Sequence, residues 1–341
     1  MKKVPVADAV GHVLCHDITK IIPGEFKGAA FKKGHIIRTE DIPELLKLGK
    51  EHLYVWEAGP GQLHENEAAV RMARAAAGSN IQLSEPSEGK VNLLAGRDGL
   101  LKVDTTALLR MNSIEEIMMA TLHNNRVVSD KCLVAGTRII PLVVDEEKIV
   151  RVEAICREAG GIISIRPFKS MAVGVVVSGS EVYKGRIQDA FGPVVRRKVE
   201  AFGCRVVHQV VVPDDQSCIT AAVNEVIHQG AEMVLITGGM SVDPDDLTPA
   251  AVKSLGASIV TYGAPVLPGA MFLLAYLGEI PVMGLPGCVM YAKTTVFDLV
   301  LPRVLTGEKL TREDIVALGH GGLCLGCPEC RFPHCPLGKG A

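Results

Sequence analysis

From Met171 onward the chain alternates short, continuous apolar runs with stretches whose apolar residues recur at helical spacing. The runs Ala172–Val177, Cys204–Val212, Met233–Thr237, Ser258–Tyr262, Phe272–Tyr276 and Pro281–Met283 have strand length and few polar interruptions. Between and after them, Gly192–Phe202, Ser217–Gln229, Thr248–Leu255 and Cys288–Val304 read as helices, with Pro249 at a first turn. Strands that are apolar on both faces and alternate with helices predict a mostly parallel sheet covered on both sides.

The first half is less regular. Thr39 predicts the N-cap of a helix with apolar Ile42, Leu45, Leu46 and Leu48, ended by Gly49. Leu53–Trp56 reads as a strand and residues 64–77 as an alanine-rich helix. Residues 78–89, with Ser84, Pro86 and Ser87, have the composition of a linker. β-like runs and a Gly99 turn follow. Ser113 with Glu116 three residues on then resembles a capping box, predicting a helix over Arg110–Asn124. Its Ile114, Ile117, Met118 and Leu122 form an apolar stripe of the kind that builds core rather than a cofactor site. Ile139–Val144 reads as a strand and Val150–Ala159 as a helix. The expected division is an α+β N-terminal region over 1–168, a three-layer α/β domain over 169–308 and a short tail over 309–341.

Composition agrees with α/β architecture. Of 341 residues, 48% are hydrophobic but only 4% aromatic, so the cores should be aliphatic. Formal net charge is −2 and no long basic run exists, which argues against a nucleic-acid partner. The N-terminus lacks the apolar core of a signal peptide, and the longest apolar runs are far short of a membrane span. A cytoplasmic location is the expectation. In a reducing compartment the ten cysteines do not suggest a disulfide framework.

Candidate chemistry gathers in three loops that follow strands: Ser178-Gly179-Ser180-Glu181, Thr237–Asp246 and Gly284-Leu285-Pro286-Gly287. Glycine lets backbone N–H groups approach an anion that a Cβ would keep away. Carboxylates beside such a site make chemical sense when a divalent cation sits between the charges. In doubly wound sheets ligands bind beyond the carboxyl ends of strands, where Glu181, Asp246 and Gly287 all fall. Plainer roles compete for several acids. Asp245 and Asp246 precede a helix and could cap it; Asp214 and Asp215 read as a turn and a cap. His208 and His228 read as ordinary histidines, and Lys293, Arg196 and Arg197 as helix-surface charges.

At these loops the chain resembles the molybdopterin-binding fold shared by the MogA/MoaB adenylyltransferases and the MoeA molybdenumtransferases. Ser178–Glu181 is similar to the family's Thr/Ser-Gly-Asp/Ser-Glu loop, and Gly185–Asp189 to the stretch leading into its Asp-Ser-Asn. Thr237–Val242 resembles MoeA's Ser-Gly-Gly-Val-Ser-Val. Pro268-Gly269 resembles part of its Lys-Pro-Gly-Lys-Pro, and Gly284–Gly287 its Gly-Leu-Pro-Gly-Asn-Pro. Val6–Leu14, Phe31–Ile37 and Ile42–Val55 also resemble MoeA's N-terminal segments.

The resemblance implies insertion of molybdate (or tungstate) into adenylated molybdopterin, with release of AMP and with Mg2+, by a homodimer. Asp246, Glu181 and Asp189 would be the catalytic acids, the first two holding Mg2+. Ser178, Gly179, Gly238, Gly239, Ser241, Pro268, Gly269, Pro286 and Gly287 would line the pterin site. Phe191, Leu267, Met271 and Cys288 replace polar or basic residues of the family pattern, and only Glu308–Ala341 remain for MoeA's C-terminal β domain. These departures favour the alternative, a non-catalytic molybdopterin carrier or sensor serving a molybdoenzyme client.

The tail carries Cys324, Cys327, Cys330 and Cys335, the last followed by Pro336. Four thiolates at this density match zinc or a 4Fe–4S cluster, although the last spacing is one residue longer than in ferredoxins. His320 and His334 are further potential ligands. Ligand type leaves zinc and iron–sulfur both open, and the family resemblance does not extend to this segment.

Overall fold

The computed structural model describes residues 2–22, 26–55, 61–241, 243 and 246–340. Trp56, Val242, Pro244 and Asp245 therefore lie outside the described residues. The chain forms two compact units: Met1–Arg97, Leu101–Leu122 and Val128–Ile165 make one, and Asp98–Leu100, His123–Val127 and Arg166–Ala341 the other.

The first unit begins with two antiparallel pairs, Lys2–Pro5 with His52–Val55 and Ile18–Ile22 with Phe26–Phe31. Helix Ile42–Lys47 closes them over a core that includes Val4, Leu14, Ile37 and Leu45. Thr39 does not cap that helix. It opens a 3-10 turn over Thr39–Asp41, where the Asp41 carboxylate accepts from the Arg38 N–H.

The largest sheet of this unit has four antiparallel strands, in the order Ile81–Leu83, Lys90–Ala95, Leu133–Ile139 and Ile117–Thr121, beside the pair Gln62–His64 with Val143–Asp145 and a three-stranded sheet ordered Arg126–Val128, Gly99–Val103 and Ile163–Arg166. Helices Glu65–Ala76, Thr105–Asn112 and Glu146–Ala159 contribute to its core. Two sequence expectations are corrected here. Residues 78–89 contain an edge strand, Ile81–Leu83, rather than a linker, because pairing with Leu93–Ala95 supplies what its own composition lacks. The helix expected over Arg110–Asn124 ends at Asn112. Its true N-cap is Asp104, which accepts from the Ala107 N–H, and Ser113 is the C-cap. Glu116 takes a positive φ of 72°, which breaks any helix, and Ile117–Thr121 buries alternate residues as a strand.

The second unit is a three-layer α/β domain. Its strands are β1 (Ala172–Ser178), β2 (Arg205–Val212), β3 (Met233–Thr237), β4 (Ser258–Tyr262), β5 (Leu273–Leu277) and β6 (Ile280–Leu285). They form one sheet in the order β2-β1-β3-β6-β5-β4. The β2/β1, β1/β3 and β3/β6 pairs are parallel; β6/β5 and β5/β4 are antiparallel. The expected mostly parallel sheet is present, with an antiparallel margin.

β1 and β3 are buried at every residue. Alternate side chains feed two cores, which explains their unbroken apolar character: Val173, Val175 and Val177 on one face, Val176, Val234 and Ile236 on the other. Each fully buried valine stabilises by roughly 1.5–3 kcal/mol. Helices α1 (Phe191–Glu200) and α4 (Val296–Leu305) cover the first face, and α2 (Gln216–His228) and α3 (Thr248–Ser254) the second. The long helix expected over Cys288–Val304 is two elements: a 3-10 turn, Gly287–Met290, and α4. Thr295 restarts the helix through a capping box with Asp298.

Candidate functional site

Register builds the site. Val177 pairs with Thr237, and Thr237 with Leu285, so three adjacent parallel strands end in one row. The loops beginning at Ser178, Gly238 and Pro286 therefore leave the sheet side by side, at the carboxyl edge where such sheets bind ligands.

Contacts draw the first two loops together. Gly238 has φ +86°, and a Cβ added there would lie 1.9 Å from the Ser178 carbonyl oxygen. Gly239, at φ +58°, is backed by the Thr248 hydroxyl, which donates to the Gly238 carbonyl at 2.9 Å. Only glycine meets both demands at 238. Just inside this loop the Thr237 hydroxyl is fully buried and makes no hydrogen bond among the described residues. The Tyr262 hydroxyl donates to the Met240 and Ser241 carbonyls at 3.1 Å each, steadying the loop from β4. Burial, with a smaller contribution from the Asp246 charge, raises the Tyr262 pKa.

The acids behave differently from one another. Glu181 lies on the one-turn helix Ser180–Tyr183 and is exposed, and its carboxylate makes no hydrogen bond or ion pair among the described residues. Asp246 closes its own turn: its Oδ2 accepts from the Asp243 N–H at 3.1 Å and its N–H donates to the Asp243 carbonyl. Asp189 is fully engaged, accepting from the N–H groups of Phe191 and Gly192 and from Gln209 Nε2 at 2.9 Å. It sits as a cap on α1.

Asp214 is the residue that sequence reasoning undervalued. Asp215 does cap α2, accepting from the Cys218 N–H. Asp214 turns the other way and accepts from the Ser178 hydroxyl at 2.8 Å and the Ser180 N–H at 2.7 Å. It fastens the first loop to the end of β2. No local pattern signals this bond, because its partners lie more than thirty positions upstream.

The remaining expected residues are placed as follows. Gly269, at φ +127°, packs on the first residue of α4: its Cβ would lie 2.9 Å from the Val296 nitrogen. Pro268 precedes it. Pro286 is buried and Gly287 exposed, and nothing lies within 4 Å of a Cβ built at Gly287. Packing among the described residues therefore does not require glycine at 287.

The tail cysteines are all free thiols. Cys324, Cys327, Cys330 and Cys335 line one cavity together with Leu267, Pro268, Lys293 and Arg331. Hydrogen bonds with the Thr294 hydroxyl and the Phe332 backbone hold the Cys330 thiol below its ordinary pKa. Among the described residues no three His, Cys, Asp or Glu side chains stand ready around a metal position.

Comparison with known proteins assigns this domain. Residues 174–306 match the family model described as a probable molybdopterin binding domain. Residues 3–57 match a model described only as a domain of unknown function.

Two curated relatives are named molybdopterin molybdenumtransferase. That of Synechococcus elongatus is 26% identical over 147 residues, 41% of this chain and 36% of the relative. That of Haemophilus influenzae is 28% identical over 158 residues, 44% and 39%. The resemblance seen in the motifs of 171–307 is thereby upheld. A CinA-like protein of Syntrophus aciditrophicus is 35% identical over 82 residues, covering 24% and 19%. The matches thus span well under half of these relatives. Among solved structures, a molybdopterin biosynthesis enzyme MoaB from Thermus thermophilus aligns with 40% of this chain and 98% of its own, at 21% identity and a TM-score of 0.35.

Among the described residues no helix is long and apolar enough to cross a membrane.

Proposed function

We propose that this chain binds molybdopterin through its phosphate at the shared edge of β1, β3 and β6, and acts in molybdenum cofactor biosynthesis by inserting molybdate into adenylated molybdopterin with release of AMP. The observation that supports this most is the row of loop starts at Ser178, Gly238 and Pro286, set level by the parallel register. Backbone N–H groups at Gly238, Gly239 and Ser241, with Ser178, Gly179, Pro286 and Gly287, line the phosphate, and Pro268 and Gly269 complete the pterin site. Exposed glycine at 287, free of any packing demand, suits close approach by a ligand.

Mg2+ takes one or two carboxylates and fills its shell from phosphate oxygens and water. Glu181, whose carboxylate has no partner among the described residues, and Asp246, with only Oδ2 engaged, fit that donor set. When bound there, the ion polarises a phosphoanhydride and offsets the charge of an approaching oxyanion. Asp214 positions the first loop, and the Tyr262 hydroxyl the second. Asp189, tied up as a cap, serves as a positioning residue more readily than as a reacting acid.

The functional division follows 1–168, 169–308 and 309–341, with a homodimer as the assembly, checked by light scattering. The deciding experiment incubates purified chain with adenylated molybdopterin, Mg2+ and molybdate and measures AMP. AMP release supports the transferase. Tight pterin binding without AMP turns the reading to a carrier or sensor for a molybdoenzyme, which the apolar Phe191 and Cys288 favour.

A further inference from the structure

The tail after Gly319 is an ordered, closed loop. The Gly338 N–H donates to the Gly321 carbonyl at 2.9 Å, joining its ends. Leu267 clamps the entry: its N–H donates to the Gly322 carbonyl and its carbonyl accepts from the Cys324 N–H, at 2.9 and 2.8 Å. Leu337 is buried in the domain core, and Cys324, Phe332 and Cys335 pack against it. Between these anchors the loop has no helix or strand. With Leu267, Pro268 and the segment Ala292–Thr294 it lines a half-open cavity of about 550 Å³.

All four cysteines of the loop line that cavity. Lys293 and Arg331 line it as well. Four thiolates around a zinc ion or a 4Fe–4S cluster carry a net negative charge, and two adjacent cations offset it. A loop without helix or strand also gains from a central crosslink, as small metal modules do.

We propose that residues 321–338 are a metal-binding module in which Cys324, Cys327, Cys330 and Cys335 ligate one thiophilic centre, zinc or iron–sulfur. The four cysteines line one cavity without forming a preassembled coordination shell among the described residues; on this proposal, binding draws their thiols together around the centre. This rests on the tail alone and is independent of the pterin site.

The test is metal analysis of the full chain, purified without oxygen and then reconstituted either with zinc or with ferrous iron and sulfide. About one zinc per chain, or about four iron with matching sulfide and broad visible absorption, is the expected result, and the two arms tell the centres apart. Cys327→Ser combined with Cys330→Ser should abolish at least nine-tenths of the metal, whereas Cys218→Ser, on α2, should keep it all. Circular dichroism checks that the double variant is folded. If that variant is unfolded, protection of the tail thiols from alkylation by added metal in the unmodified chain decides instead. No stoichiometric metal in either arm, retention by the folded double variant, or thiols equally reactive with and without metal would overturn the proposal.

Discussion

Gly238→Ala tests whether the two principal loops meet as the register requires. The new Cβ would lie 1.9 Å from the Ser178 carbonyl oxygen, where 3.0 Å is the floor for such contacts, so the loops must part by about 1.1 Å. The obstacle is backbone, in a loop held by Asp214, and cannot rotate aside. Left-handed backbone at φ +86° adds roughly 1–2 kcal/mol for an alanine, and overpacking a fixed contact about 1–3 kcal/mol. Gly278→Ala is the control: it has φ +61° with nothing within 4 Å, so only the backbone contribution remains. Urea titration read by hydrogen exchange of peptides from β1 and β3 reports this unit alone. Gly238→Ala should be less stable than the control by about 1–3 kcal/mol, the overpacking contribution, moving the midpoint by roughly 1 M. Equal midpoints for the two variants would refute the loop contact and, with it, a shared site.

Asp214→Ala leaves the Ser178 hydroxyl and the Ser180 N–H without their acceptor; a loss of about 2–3 kcal/mol is expected in the same exchange assay, with Asp214→Asn in between. Glu181→Ala and Asp246→Ala should each lower AMP release at least about tenfold, on the scale of a weakened metal site; an unchanged rate for Asp246→Ala would leave that residue only its turn with Asp243. In the first unit, the Arg71 guanidinium holds Glu153 below the usual carboxylate range. A depressed pKa contributes stability above the unfolded value of about 4.3 and loses it as pH falls below that point. Thermal unfolding from pH 7 down to 3 should therefore show an acid limb that is shallower in Glu153→Gln, and an identical limb in the variant would remove the pair from the account.

The parts of the fold that were legible share one property: their local pattern already expressed the tertiary environment. Met233–Thr237 and Ser258–Tyr262 have the expected boundaries, and the apolar run of the former is what burial on both faces demands. Local signals misled where two structures share them. Ser113 and Glu116 mimic a capping box, yet the bond that starts the helix belongs to Asp104. The apolar continuity of Cys288–Val304 hid the restart at Thr295, which a Thr-x-x-Asp reading would have revealed. Ile81–Leu83 is short and its flanks are polar enough to pass for a linker, because an edge strand draws its stability from its neighbour.

The site divides along the same line. Glycines 238 and 239 stood out because a Gly-Gly pair after a strand marks a left-handed turn, but neither the approach of Gly238 to the Ser178 carbonyl nor the bonds of Asp214 could be read, because contacts between the ends of separate strands leave no mark on either segment. This bears on the choice between transferase and carrier. The elements that would shape the proposed phosphate cradle are backbone amides fixed by glycine and by Asp214, and they do not depend on the side chains replaced at Phe191 and Cys288. The elements that would drive chemistry are side chains, and of three expected acids only Glu181 and Asp246 keep carboxylate oxygens unengaged. On the proposed function, binding would be built into the backbone, while turnover would rest on two carboxylates. Pterin affinity should survive Glu181→Ala combined with Asp246→Ala, measured without Mg2+, and AMP release should not. Loss of both together would mean that the acids, rather than the loops, hold the ligand.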